Sequence, residues 1–65
     1  MNIEEIKTRV ESIKGFAGDD ERAHGEEDDL WLDVLHAIAH GEKDSQNLAL
    51  EALKTREIEF SRWCA

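Results

Sequence analysis

Branched aliphatic residues recur near the start of the chain at Ile3, Ile6, Val10 and Ile13, at intervals of three, four and three positions. Those intervals keep four side chains on one stripe of a helix, so the pattern predicts a first helix over residues 2–14. Asn2 is placed to cap it, Glu4 and Glu5 sit beside the positive end of its dipole, and the stretch from Gly15 to Gly18 ends it. A second stripe, Leu30, Trp31, Val34, Leu35 and Ile38, predicts the clearest helix, over residues 26–40. Its first turn holds Glu26, Glu27, Asp28 and Asp29, where negative charge is favourable, and His40 followed by Gly41 marks its end. Between these helices, Asp19 or Asp20 caps a short turn through His24. Gly25 then interrupts or weakens the link, because a mid-helix glycine costs about 1 kcal/mol relative to alanine.

A third helix over residues 46–55 follows a cap at Asp44 or Ser45, with Leu48, Ala49, Ala52 and Leu53 inward and Leu50 on another side. In the tail, Ile58 and Phe60 alternate with Glu57 and Glu59, a pattern compatible with an extended lead or with continued helix. No pair of strands is predicted elsewhere. The expected fold is all-α: residues 1–65 form a single helical domain, a small three-helix bundle with a short C-terminal tail or turn.

Length makes self-association useful. A chain of 65 residues buries only about 60% of its unfolded surface, and small scaffolds often need a staple. A broad third helix and the Ile3–Ile13 stripe therefore suggest a homodimer. Cys64 is the one cysteine, so no disulfide forms within the chain, and the spaced CxxC pairs of a structural zinc site are missing. Met1-Asn2-Ile3-Glu4-Glu5 lacks the basic start of a signal peptide, and no apolar run approaches the ~20 residues that span a bilayer. The expected location is the cytoplasm, with no membrane association.

Charge changes the picture most. Sixteen acids against eight bases give a net charge of −8. Direct binding to nucleic acid is excluded on that balance, because it needs Lys and Arg to displace counterions. A basic protein partner or a metal fits better. Eight of the acids, Asp19, Asp20, Glu21, Glu26, Glu27, Asp28, Asp29 and Asp33, lie in one segment with a single base, Arg22.

Three readings compete for that segment. As a solvated helix start, each acid in the first turn gains roughly 0.3–1 kcal/mol; this covers Glu26 to Asp29 but leaves Asp19, Asp20, Glu21 and Asp33 unexplained. As a partner-binding surface, a dense carboxylate array occupies a basic cleft that normally holds phosphates. As a metal site, Asp29, Asp33, His36 and His40 form one stripe at intervals of four, three and four, with ligand types that suit zinc, manganese or iron. That stripe spans three turns, has no HExxH and no second Glu-x-x-His helix, so it cannot surround one ion. Glu26 to Asp29 faintly resembles the acidic helix of all-α nucleotide pyrophosphohydrolases. Those need a second acidic helix, for which this chain offers only Glu51, Glu57 and Glu59.

His24 lies three or four positions from Glu21, Glu27 and Asp28, where carboxylates favour its charged form, and it is expected to pin the Gly25 bend to the acidic helix. The tail "REIEFSRWCA" belongs to a C-terminal dozen that is slightly basic, with Lys54, Arg56 and Arg62 against Glu57 and Glu59. Its expected use is internal, with Phe60 and Trp63 packing across the helices and Arg62 pairing with an acid of the middle segment. The alternative is a ligand or interface site built from His24, Arg62 and Trp63, since Arg and Trp anchor interfaces and stack on nucleotide bases. Cys64 has no neighbouring base that would make it a nucleophile, and no cofactor is called for.

Two blocks carry a resemblance. The first is Asp19, Asp20, Glu21, Ala23, His24, Glu27, Asp28 and Leu30; it leads into Ala37, Ile38, Ala39 and Gly41, then Ala52, Leu53 and Thr55. The second is Phe60, Arg62, Trp63, Cys64 and Ala65. Together, over residues 18–65, they resemble small proteins encoded by bacteriophages and prophages. That pattern often has proline before the Arg-Trp pair, where this chain has Ser61. The resemblance implies a phage setting, in which small acidic proteins often inhibit host defence or redirect host enzymes, and it brings no activity with it. It also implies that His24 and the tail meet in space. The expected function is non-enzymatic: an accessory or inhibitor protein whose acidic face binds a basic cleft of a host nucleic-acid-handling complex, for example as an anti-CRISPR or other anti-defence protein. A nucleotide-binding sponge using the Arg-Trp tail and a metal-dependent hydrolase are the alternatives.

Overall fold

Three helices form, α1 (Ile3–Gly15), α2 (Asp20–Ala39) and α3 (Ser45–Leu53), and α3 tightens into one 3₁₀ turn, Lys54–Glu57. They are seen in a computed structural model that describes residues 1–62. No strand occurs among the described residues, so the small all-helical bundle stands as expected.

α1 begins as the sequence directs. The Asn2 side chain accepts a hydrogen bond from the Glu5 amide at 2.9 Å, and Ile6, Val10 and Ile13 turn inward. Glycine's conformational freedom is needed at the end of α2. Gly41 takes φ +96, which lets its amide reach the Ile38 carbonyl and the Glu42 amide reach that of Ala37, both at 3.1 Å. This is the Schellman closure that a C′ glycine permits.

The start of α2 differs from the expected residue 26. Asp19 caps the helix, accepting from the Arg22 amide at 3.2 Å, and the helix runs unbroken through Gly25. Ala23, Glu27, Leu30 and Val34 explain why: spaced four, three and four apart, they share the buried face. Burying a leucine yields about 1.5–3 kcal/mol, more than the ~1 kcal/mol that one glycine costs. A Cβ built at Gly25 meets nothing within 4 Å. Gly25→Ala is therefore expected to raise stability by about 1 kcal/mol, a rise of roughly 4–8 °C in the thermal midpoint, as followed by circular dichroism.

Asp44 stands before α3 but makes no backbone cap bond; its carboxylate instead accepts from the Asn47 side chain at 2.8 Å. After the 3₁₀ turn, Ile58 takes φ −81 and ψ 127, so the tail is extended and continued helix is ruled out for residues 58–62. Thr55 and Ile58 both point inward, and the turn between them lays the tail across α2.

The core gathers Ile6, Val10, Ile13, Ala23, Leu30, Val34, Leu48, Ala52 and Ile58, with Ile3, Trp31, Ile38 and Phe60 packed on its edge. Leu35 and Leu53, expected inside, are 64% and 52% exposed. α3 has only nine residues and covers one side of α2, so the apolar stripe is wider than its cover. Polar ties hold α1 to the rest of the bundle and the chain start to the turn after α2. Arg9 of α1 donates to Asp33 of α2 at 2.8 Å, and the Met1 amine donates to Glu42 at 2.9 Å. No described helix is long and apolar enough to cross a membrane.

Candidate functional site

Because α2 is continuous, all of residues 20–33 sit on one rigid rod, and Asp19 caps it. At about 1.5 Å per residue the acidic segment is about 20 Å long. Glu26 to Asp29 are therefore mid-helix, beyond the single turn over which the dipole acts. Only Asp20 and Glu21 occupy the first turn. The helix-start explanation does not apply to the four acids it was meant to cover.

The eight acids have different fates. Asp19 caps the helix while remaining exposed. Asp20 accepts from the Ser61 amide at 3.0 Å and so helps seat the tail. Asp33 pairs with Arg9 at 2.8 Å, and Asp28 lies 3.4 Å from His24. Glu21, Glu26 and Asp29 make no ion pair or side-chain hydrogen bond among the described residues. Glu21 and Asp29 are exposed and Glu26 is half-buried. Glu27 is only 2% exposed, so it belongs to the interior and not to the acidic face.

Glu27 is the centre of a polar cluster under the tail. Arg62 Nε donates to Glu27 Oε1 at 2.9 Å and Nη2 donates to Oε2 at 2.8 Å, the two-pronged geometry that suits guanidinium and carboxylate. Nη2 also reaches the Thr55 carbonyl at 3.0 Å, and Nη1 the Phe60 carbonyl at 3.3 Å. The guanidinium lies 3.9 Å from the centre of the Phe60 ring. On the other side of Thr55, the Trp31 indole N–H donates to the Thr55 hydroxyl at 3.1 Å and to the Ala52 carbonyl at 3.2 Å. Burial pushes the Glu27 carboxyl up, but hydrogen bonds from Arg62 and Thr55 and the charges of Arg62 and Arg56 outweigh it. The net effect holds Glu27 below the ordinary carboxylate value. The hydrogen bonds with Glu27 raise Arg62 in turn, against the opposing effect of burial.

The pairing of Arg62 with a middle-segment acid is thus as the tail's basic character led one to expect. Of the site expected from His24, Arg62 and Trp63, the first two lie among the described residues, and no hydrogen bond or ion pair joins them. Arg62 uses all but one of its five N–H donors on protein groups, which leaves little for a nucleotide. His24 is mostly buried, one turn from Asp20 and one from Glu27, the two residues that hold the tail. Its Nδ1 has no hydrogen-bond partner among the described residues. Trp63 and Cys64 lie outside the described residues.

The metal candidates do not converge. Asp33 is engaged by Arg9, His40 Nδ1 lies 2.7 Å from the His36 carbonyl oxygen, and the two imidazole rings are 6.2 Å apart. Among the described residues no group of three or more His, Cys, Asp or Glu side chains is placed to hold an ion.

Sequence reasoning missed the interior Glu27 and Thr55. Glu27 could have been found. Its interval of four from Ala23 and three to Leu30 puts it on the buried stripe, and a buried acid requires a cationic partner. The fold and site together define a small all-helical protein with an acidic helix clasped by its own tail. No protein family, curated protein or solved structure matches the chain.

Proposed function

We propose that the protein acts by binding, as a phage-type accessory or inhibitor protein, with the acidic side of α2 occupying a basic cleft of a host nucleic-acid-handling complex in the cytoplasm. One observation carries the reading: the continuity of α2 through Gly25 sets Asp19, Glu21, Glu26, Asp28, Asp29 and Asp33 along one rigid helix. About 20 Å of helix matches roughly six phosphate steps of a nucleic-acid strand at about 3.4 Å each. Rigid placement makes the charge useful, since a cleft built for phosphates recognises charge position before chemistry. Interference with a CRISPR effector or another defence complex is the first case to test.

The residues for the test are the acids without an internal partner. Glu21→Lys, Glu26→Lys and Asp29→Lys combined shift the net charge by +6 and touch no side-chain hydrogen bond or ion pair among the described residues. The expected result is that tagged wild-type protein captures a nucleic-acid-binding complex from bacterial lysate at low salt, releases it at high salt, and loses it in the triple variant with helicity unchanged. Equal capture by wild type and triple variant sinks the reading.

A further inference from the structure

The end of α2 carries two histidines four positions apart, His36 in the last turn and His40 as the C-cap. Residues at that interval are neighbours on one side of a helix. Both are exposed, and both line an open groove of about 950 Å³ between the end of α2 and the start of α1. One hydrogen bond fixes the His40 tautomer: Nδ1 lies 2.7 Å from the His36 carbonyl oxygen. A carbonyl oxygen only accepts, so Nδ1 carries a proton, and in the neutral ring the free lone pair is then on Nε2. A backbone carbonyl in that place is the outer partner that metal-bound histidines commonly have, because it orients the ring and makes the other nitrogen more basic. The His36 ring makes no hydrogen bond or ion pair among the described residues, so it is free to turn.

We propose that His36 and His40 chelate one divalent transition ion, through Nε2 of His40 and a ring nitrogen of His36, with water in the remaining positions. The inference goes beyond the acidic-surface reading and does not depend on it. The four-residue stripe that includes Asp29 and Asp33 does not close on an ion, but its two histidines need little movement to do so. Their ring centres are 6.2 Å apart. Two imidazoles bound to one ion at about 2.0–2.1 Å have centres about 5 Å apart, a change that rotation of two exposed side chains supplies. Imidazole ligands suit zinc, nickel or copper, whereas magnesium and calcium take oxygen.

Electrostatics favour a cation at this place. The negative end of the α2 dipole meets His36 and His40. In the groove Glu4, Glu42 and Asp44 outnumber Lys43 and the Met1 amine. An ion held by both rings joins the last helical turn to its cap. It staples the end of α2 in a chain whose small size leaves little stability to spare. Because the pair is preformed only in the folded helix, binding raises stability by linkage.

The test is a zinc titration of the full chain, followed by calorimetry, thermal melts and nitrogen NMR of the imidazoles. A Cys64→Ser background and excess magnesium keep the thiol and the carboxylates from taking the zinc. The expected result is one tight zinc per chain, a thermal midpoint that rises with zinc and not with magnesium, and a shifted Nε2 resonance of His40. His36→Ala and His40→Ala are each expected to weaken zinc binding at least tenfold, since loss of an outer partner alone costs about 10–100-fold. Both side chains are exposed, so circular dichroism should be unchanged in either variant. Zinc that does not bind, that binds equally well without either histidine, or that shifts Nδ1 of His40 in place of Nε2 overturns the proposal.

Discussion

Arg62→Ala is expected to destabilise the protein by about 3 kcal/mol, the low end of the range for breaking a buried ion pair by removing one partner. Arg62 itself is partly exposed, but Glu27 is not, and truncation leaves the carboxylate inside without its cation. A domain of this length has roughly 3–10 kcal/mol in total, so the thermal midpoint falls on the order of 15 °C. Loss of the pair also weakens the hold of the tail on α2, which keeps the bond from the Ser61 amide to Asp20. Acidification separates this mechanism from simple loss of packing. Glu27 titrates below its ordinary value in the folded protein. Its contribution is therefore full above the unfolded carboxyl value and disappears as pH falls through the folded one. In Arg62→Ala the unpaired buried carboxyl is expected to rise instead, and protonating it then favours the fold. Urea melts of both proteins across acidic pH should show their stabilities converging as pH falls. A constant gap would mean that Arg62 acts through its hydrocarbon stem. Replacing both partners, Glu27→Leu with Arg62→Met, should recover most of the loss, because an apolar pair of similar volume removes the desolvation cost.

Leu30→Ala is expected to lower stability by about 3 kcal/mol, and Leu35→Ala by less than about 0.5 kcal/mol in dilute protein. The two residues lie on the same helix, five positions apart, and both belong to the stripe that hydrophobic spacing marks as inward. Leu30 is fully buried at the centre of the bundle, so truncation leaves a cavity that neighbours tied by helix geometry cannot fill. Leu35 already meets solvent. Comparable losses at the two positions would place the buried face of α2 elsewhere and undo the assignment of Glu27 to the interior.

Periodicity carried the helices because each has an unbroken buried stripe; Ile6, Val10 and Ile13 in α1 are the plainest case. It failed at Gly25 because local propensity was weighed without the stripe that crosses it. Ala23 and Glu27 looked like loop and surface residues, yet they continue the line of Leu30 and Val34 backwards by two turns. Leu35 and Leu53 failed for the opposite reason. Apolar spacing reports which side chains can be buried, while the shortness of α3 decides which are. The Arg62 pair was legible as chemistry, an Arg in a basic tail facing an acidic segment. Its exact partner depends on where the chain turns, and that is set by the 3₁₀ turn and Thr55, for which the sequence has no strong signal.

For the proposed function the same distinction matters. Counting acids gives eight in the segment, but the structure removes Glu27 from the surface, engages Asp19 as the helix cap and ties Asp20, Asp28 and Asp33 to neighbours. Glu21, Glu26 and Asp29 are left to meet a partner. Competition tests this most directly: the complex captured from lysate, its labelled nucleic acid and increasing amounts of this protein in one anisotropy titration. The account predicts displacement of the nucleic acid by wild type and none by the Glu21→Lys, Glu26→Lys, Asp29→Lys variant. A ternary complex, with protein and nucleic acid bound together, would contradict it.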